Sequence, residues 1–260
     1  MGNDSMHIIR YDDLAAFAAL AEPYFTRHEA EHNLQLGILS QLRRAPDRAA
    51  EPPYMAIIFG EGEVVAVGLR TPPHNAIVSL LAPPDLLAPA VAHLADNLRA
   101  RYGDDLPGVI GPATEARALA DAWCQLTGRS AERAVAERIY QLDQVIPVVG
   151  VAGGMRRAGE GDRALLEGWI AAFSAEALSN REHLDPAAWV ESALAAPASA
   201  RGLWLWEDAA RQAVALAGYT GPTPHGMRVG PVYTPPEQRG HGYARALTAA
   251  LSQQLLDGGR

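Results

Sequence analysis

The stretch Val229-Gly230-Pro231-Val232-Tyr233-Thr234-Pro235-Pro236-Glu237-Gln238-Arg239-Gly240-His241-Gly242-Tyr243-Ala244-Arg245-Ala246-Leu247 decides how this chain folds and where its chemistry sits. Met227–Tyr233 is a mostly apolar run that predicts a strand. Pro235 and Pro236 end it, and the helical pattern of Gly240–Leu256 begins just beyond. A strand that turns through glycines into a long helix aims several unpaired backbone N–H groups at one point, with the helix dipole behind them. Such a cradle suits an anion of the pyrophosphate class. Gly240 and Gly242 let the backbone approach a ligand without a Cβ in the way, Ala244 keeps the next turn small, and Arg239 and Arg245 add positive charge. The spacing is Arg-x-x-Gly-x-Ala (Arg239, Gly242, Ala244), and it lacks the six-residue glycine pattern of the dinucleotide fingerprint.

Upstream of the cradle, Leu203–Trp206 and Ala213–Tyr219 predict two strands around Glu207-Asp208-Ala209-Ala210. Trp204 and Trp206 flank Leu205, so both point to one sheet face, where core packing is expected. Met155–Arg157 predicts a strand, and Asp162–Ser174 and His183–Leu194 predict helices, the latter with Pro186 in its first turn. Val148–Gly154 is small, apolar and glycine-bearing, and reads as a linker.

The same order precedes that linker. His7–Tyr11 predicts a strand, and a helix capped by Asp12 or Asp13 runs towards Leu42 with a break near Pro23. Tyr54–Phe59 and Val64–Leu69 form a hairpin pattern around Gly60-Glu61-Gly62-Glu63, and Asn75–Leu81 is a third strand. Helix Asp85–Tyr102, strand Leu106–Gly111, helix Thr114–Leu126 and a strand or strand pair at Ala131–Leu142 complete this part. Val65-Ala66-Val67-Gly68-Leu69-Arg70-Thr71-Pro72-Pro73-His74 is similar to Val214-Ala215-Leu216-Ala217-Gly218-Tyr219-Thr220 followed by Pro222-Thr223-Pro224-His225. Ala82-Pro83-Pro84-Asp85 is similar to Thr234-Pro235-Pro236-Glu237. His74 and His225 are 151 apart, and Asp85 and Glu237 are 152 apart, which argues for a tandem duplication. With the first copy as ruler, the second stops where the first enters Leu106–Gly111, so roughly 35 further residues are expected beyond the helix C-cap at Leu256-Asp257-Gly258-Gly259-Arg260.

The segment 229–247 resembles the acyl-CoA-binding motif of the GNAT N-acetyltransferase superfamily, (Arg/Gln)-x-x-Gly-x-(Gly/Ala). The order of elements over 151–260 fits that fold, and the first copy fits it more weakly. The resemblance implies an α/β (α+β) chain of two mixed, mostly antiparallel sheets flanked by helices, with the second copy incomplete. Its domains would be 1–147, a degenerate half; 148–154, the linker; and 155–260, the acetyl-CoA-binding half. It implies that Val232, Tyr233 and Thr234 border the pantetheine arm, with backbone groups of Val232 and Thr234 pairing with it. It implies that amides of Arg239, Gly240, His241, Gly242, Tyr243 and Ala244 hold the pyrophosphate of acetyl-CoA. It also implies transfer of an acetyl group to a primary amine of a small-molecule acceptor by direct attack in a ternary complex. The alternative function is a non-catalytic acyl-CoA-binding protein. The first copy has Ala82-Pro83-Pro84-Asp85-Leu86-Leu87-Ala88-Pro89-Ala90 at the motif position, without glycine and with Pro89 removing an amide.

The transfer needs a base for the ammonium and a donor for the leaving thiolate. Tyr233, at the strand end, is a candidate donor or a wall of the site, and His225 a candidate base or a turn residue like its twin His74. Glu237 is a further base candidate beside its reading as a solvated turn residue. Asn180-Arg181-Glu182-His183 is a helix-cap pattern that would also border the acceptor. Cys124 is a lone thiol on a helix face, expected to be buried.

Composition removes other classes. The chain has 260 residues, 48% hydrophobic and 20% charged, in the range of globular proteins. No apolar run approaches the length of a membrane span, and the start has no signal-peptide pattern. One cysteine leaves no internal disulfide and no multi-cysteine metal site, and a reducing cytoplasm is the simplest compartment. The net charge of −8 disfavours nucleic acid as a partner. All 22 basic residues are arginine, so a Schiff-base lysine and a Walker lysine are both excluded. An exposed edge on the Met227–Tyr233 strand favours a homodimer.

Overall fold

The computed structural model describes residues 6–45, 51–81, 84–177, 185–196 and 200–260. The chain divides into two compact units, Met1–Ile139 and Tyr140–Arg260.

The first unit is built on a five-stranded sheet in the order β1 (His7–Arg10), β2 (Tyr54–Gly60), β3 (Glu63–Arg70), β4 (Ala76–Val78), β5 (Val109–Ile110). All its pairs are antiparallel except β4 with β5. The near-continuous apolar run of β2 reads as a strand covered on both faces, and it is. Tyr54, Ala56 and Ile58 face a core with α3 (Leu87–Tyr102) and α4 (Ala113–Thr127), while Met55 and Ile57 face α1 (Leu14–Thr26) and α2 (Asn33–Arg44). Gly68 in β3 is a packing requirement: a Cβ there would lie 2.5 Å from Leu94 Cδ1 of α3. Asp13 caps α1 by accepting from the Ala16 N–H. Pro23 sits within α1, and the helical stretch expected to break near it is interrupted three residues further on, after Thr26, and resumes at Asn33. A proline near the end of a helix removes one hydrogen bond without ending it. Segment Ala131–Leu142, expected as a strand, has no regular structure. Its apolar residues find no ladder among the described residues, and Val135, Ile139 and Leu142 stay exposed.

The second unit carries a four-stranded antiparallel sheet in the order β6 (Gly154–Arg157), β7 (Gly202–Glu207), β8 (Ala213–Thr220), β9 (Arg228–Tyr233). Helices α5 (Arg163–Ala177) and α6 (Pro186–Ala195) cover one face over Leu203, Leu205 and Leu216. Helix α7 (Tyr243–Asp257) covers the other over Trp204, Trp206, Ala215 and Ala217, so the two tryptophans share a face as their alternation requires. Arg156 on β6 pairs with Asp162 just before α5 at 2.8 Å and with Glu207 on β7, which anchors the start of α5 to the sheet. Asp162 also accepts from the Gly159 N–H, and its carboxyl is held below the usual range by the Arg156 guanidinium. The expected linker 148–154 is packed: Val148 and Val151 join the α7-side core, and Trp206 Nε1–H donates to Ala152 O at 3.1 Å. Strand, two helices, three strands and a helix thus occur in the same order in both units. No helix among the described residues is long and apolar enough to cross a membrane.

Candidate functional site

The site lies at the end of β9, between residues 173–177 of α5 and the first turn of α7. A tight turn at Pro236–Gln238 follows the strand, and Gly240 and Gly242 take φ of +85° and +83°. These left-handed conformations suit glycine and carry the backbone from the turn into α7. Gly242 is the N-cap of α7 and has no side chain to cap it. Helices α1 and α6 contrast with this, since Asp13 and Asp185 satisfy amides of their first turns. The uncapped amides of α7 therefore remain available to an anion, with the positive end of the dipole behind them.

These residues enclose one side of an open pocket of about 830 Å³. Phe173, Glu176 and Ala177 of α5 form the other side, with Val232, Tyr233 and Thr234 of the strand end between them. Every cofactor-side residue expected from the sequence (Val232, Tyr233, Thr234, Arg239, Gly240, His241, Gly242, Tyr243 and Ala244) lines this one pocket. Arg245 joins them, and the His241 ring stacks on Tyr243 with centroids 5.5 Å apart. The Thr234 hydroxyl is buried without a hydrogen-bond partner, an unmet polar group at the pocket wall. The donor set fits a pyrophosphate: main-chain N–H groups at a helix start, a free hydroxyl and two arginines.

Tyr233 is 7% exposed, and its ring packs 6.2 Å from that of Trp169 on α5. Arg239 ties three parts of the wall together. Its Nε–H donates to Thr234 O at 2.8 Å, its Nη2 donates to both carboxylate oxygens of Glu176 at 2.9 and 2.7 Å, and its guanidinium lies 5.8 Å from the Tyr233 ring. Glu176 is the largest cause that raises the Arg239 guanidinium above its ordinary value. His225 and Glu237 are exposed and are not among the residues lining the pocket. Asn180-Arg181-Glu182-His183 lies outside the described residues. Cys124 is half-buried on α4 in the first unit. Among the described residues no group of three His, Cys, Asp or Glu side chains could hold a metal ion. Glu176 escaped sequence reasoning, because it sits 63 residues before its partner in an ordinary amphipathic helix.

The first unit treats the corresponding place differently. The matched hairpins align Gly68 with Ala217, and since Gly68 pairs with Val78 and Ala217 with Val232, Leu80 takes the place of Thr234. The Leu80 N–H donates to His32 Nε2 at 3.0 Å, the Tyr24 hydroxyl donates to Leu80 O at 2.6 Å, and the Leu81 N–H donates to Glu115 Oε1 at 3.3 Å. The unit's own side chains thus occupy the main-chain groups of Leu80, at the place of Thr234, whose backbone the resemblance assigns to a cofactor arm in the second unit. Pro89 sits in the first turn of α3, where it has no N–H to offer. Ala82 and Pro83 lie outside the described residues.

No protein-family model matches the chain, and no curated protein sequence matches it. Matches to solved structures do exist. One is a tandem GNAT protein from the clavulanic acid biosynthesis pathway, at 13% identity and TM-score 0.47, covering 98% of this chain and 87% of that one. The solved structures that this chain resembles include several GNAT acetyltransferases. A GNAT-family acetyltransferase from Staphylococcus aureus Mu50 matches at 11% identity and TM-score 0.36, covering 41% of this chain and 68% of that one. A GCN5-related N-acetyltransferase from Kribbella flavida matches at 13% identity and TM-score 0.37, covering 96% of this chain and 62% of that one. The two helix-flanked sheets expected from the sequence are those described above.

Proposed function

We infer that the second unit is an acetyl-CoA-dependent N-acetyltransferase that moves an acetyl group to a primary amine of a small molecule. The observation that carries this reading is the single pocket in which the uncapped first turn of α7, the strand end Val232–Thr234 and the Phe173–Ala177 stretch of α5 meet. Amides of Gly240 to Ala244 would hold the pyrophosphate, the Arg239 amide expected with them being turned to Pro236 O at 3.3 Å, with Arg239 and Arg245 supplying charge. The strand end would border the pantetheine arm, and the Thr234 hydroxyl would gain the partner it lacks. Acetyl-CoA supplies the activated acyl thioester. In the transfer the amine nitrogen, freed of its extra proton, bonds to the thioester carbonyl carbon while the carbon–sulfur bond breaks. The thiolate then takes up a proton. Tyr233 lines the pocket with its ring fixed against Trp169, which suits its hydroxyl to give that proton.

The two units read as tandem copies, with acyl-CoA held by the second alone. The filled backbone at Leu80 and Leu81 and the proline in the first turn of α3 support this division of roles.

Release of free CoA thiol tests the reaction. With acetyl-CoA and a panel of primary amines, at least one amine should drive thiol release and itself gain one acetyl group by mass. Binding of acetyl-CoA with no amine-dependent release across the panel would favour the non-catalytic acyl-CoA-binding alternative.

A further inference from the structure

The pocket is electrically two-ended. At one end the N-terminus of α7, Arg239 and Arg245 concentrate positive charge. At the other, Glu176 of α5 brings a negative charge to the wall. Among the described residues lining the pocket it is the only carboxylate.

Glu176 is engaged with Arg239, and that pair joins the two ends. Both side chains are about half exposed, at 47% each. An ion pair so open to water is weak and easily exchanged. Arg239 opens the Arg-x-x-Gly-x-Ala motif, one residue before Gly240 of the cradle, so an anion seated there competes directly for its guanidinium.

We propose that the Arg239–Glu176 pair is a latch. A polyphosphate-type anion in the cradle draws Arg239 to itself and leaves the Glu176 carboxylate as the binding group for a protonated amine at the Phe173–Tyr233 end of the pocket. The acceptor class is therefore cationic, and its site is masked until the cradle is filled. This rests on the acyl-CoA reading given above, and only binding steps are involved.

Calorimetric titration of the full chain with CoA tests it in four proteins: the parent, Glu176→Gln, Arg239→Gln and the double variant. Removing the competitor should tighten CoA about three- to five-fold in Glu176→Gln, the range of an exposed ion pair. Arg239→Gln should weaken CoA binding, and adding Glu176→Gln to it should change nothing further. Unchanged or weaker binding in Glu176→Gln overturns the latch. So does equal tightening in both backgrounds, which would reduce Glu176 to a distant repulsive charge. Absence of CoA binding in every folded protein overturns the acyl-CoA reading itself. By reciprocity, CoA must also strengthen binding of a simple ammonium probe. Methylammonium followed by NMR should bind about three-fold or more tighter with CoA present in the parent and not in Glu176→Gln. No strengthening in the parent overturns the amine half of the proposal.

Discussion

Gly242→Val should abolish measurable CoA binding while leaving a folded chain. Gly242 sits at φ +83°, and its Cβ would lie 3.2 Å from Val151 Cγ2. A left-handed conformation costs an L-residue about 1–2 kcal/mol, and a β-branched one adapts worst. The loop relieves both problems by moving, and the amides of the first turn of α7 move with it. Losing two charge-assisted hydrogen bonds of about 1.5–3 kcal/mol each lowers affinity at least about a hundredfold. The lost stability is of the order of the strain alone, so the melting temperature should fall by only a few degrees. Gly242→Ala carries the backbone strain with a single methyl and should fall between the parent and Gly242→Val. Calorimetry with CoA and a melting curve on each protein check this. A folded Gly242→Val chain with the parent's CoA affinity would show that these amides do not hold the phosphates.

The second large effect concerns stability. His32 is fully buried in the first unit, where its Nδ1–H donates to Phe25 O at 3.0 Å and its Nε2 accepts the Leu80 N–H at 3.0 Å. Both ring nitrogens are used by one neutral tautomer. His32→Leu leaves the Leu80 N–H unpartnered inside the unit, at about 1–3 kcal/mol, while the Phe25 carbonyl keeps the His28 N–H at 3.2 Å. Destabilisation of about 1–3 kcal/mol is expected, with His32→Gln losing less because it offers both a donor and an acceptor. Burial is the main cause that lowers the His32 pKa below 6.5, and His28 adds to it. The Phe25 carbonyl, Glu31 and Glu115 act in the opposite direction without reversing it. A histidine held neutral in the folded state gives its full stability above 6.5, and that stability is lost as pH falls below this value towards the lowered one. Denaturant melts at pH 7.5 and at successively lower pH should show the parent losing stability over that range and His32→Leu losing less. Equal pH dependence in the two proteins would contradict the assignment.

Strand and helix periods made most of both sheets legible. The Tyr54–Phe59 run, the Trp204–Trp206 alternation and the strand-turn-helix at 229–247 all carry local patterns that tertiary packing then respects. Two segments were not legible, for opposite reasons. Ala131–Leu142 has strand-like composition, but a strand exists only where an edge is available to it, and sequence pattern does not report edges. Val148–Gly154 has the small residues of a linker, yet the same smallness lets Val151 pack beside Gly242 and Trp206 reach Ala152 O. At the site, the cradle was legible because its residues are contiguous. Glu176 was not, because its role arises only where α5 meets Arg239 across the pocket. His32 was hidden in the same way, its partners lying 7 and 48 residues away.

The central claim is that the second unit holds acyl-CoA by its pyrophosphate and its pantetheine arm together. Calorimetric titration of the 260-residue chain with acetyl-CoA, against ADP as a control that lacks the arm, tests it most directly. The account predicts one site per chain, with acetyl-CoA binding at micromolar strength and ADP far more weakly. A folded chain that binds neither, or binds both equally, would contradict it.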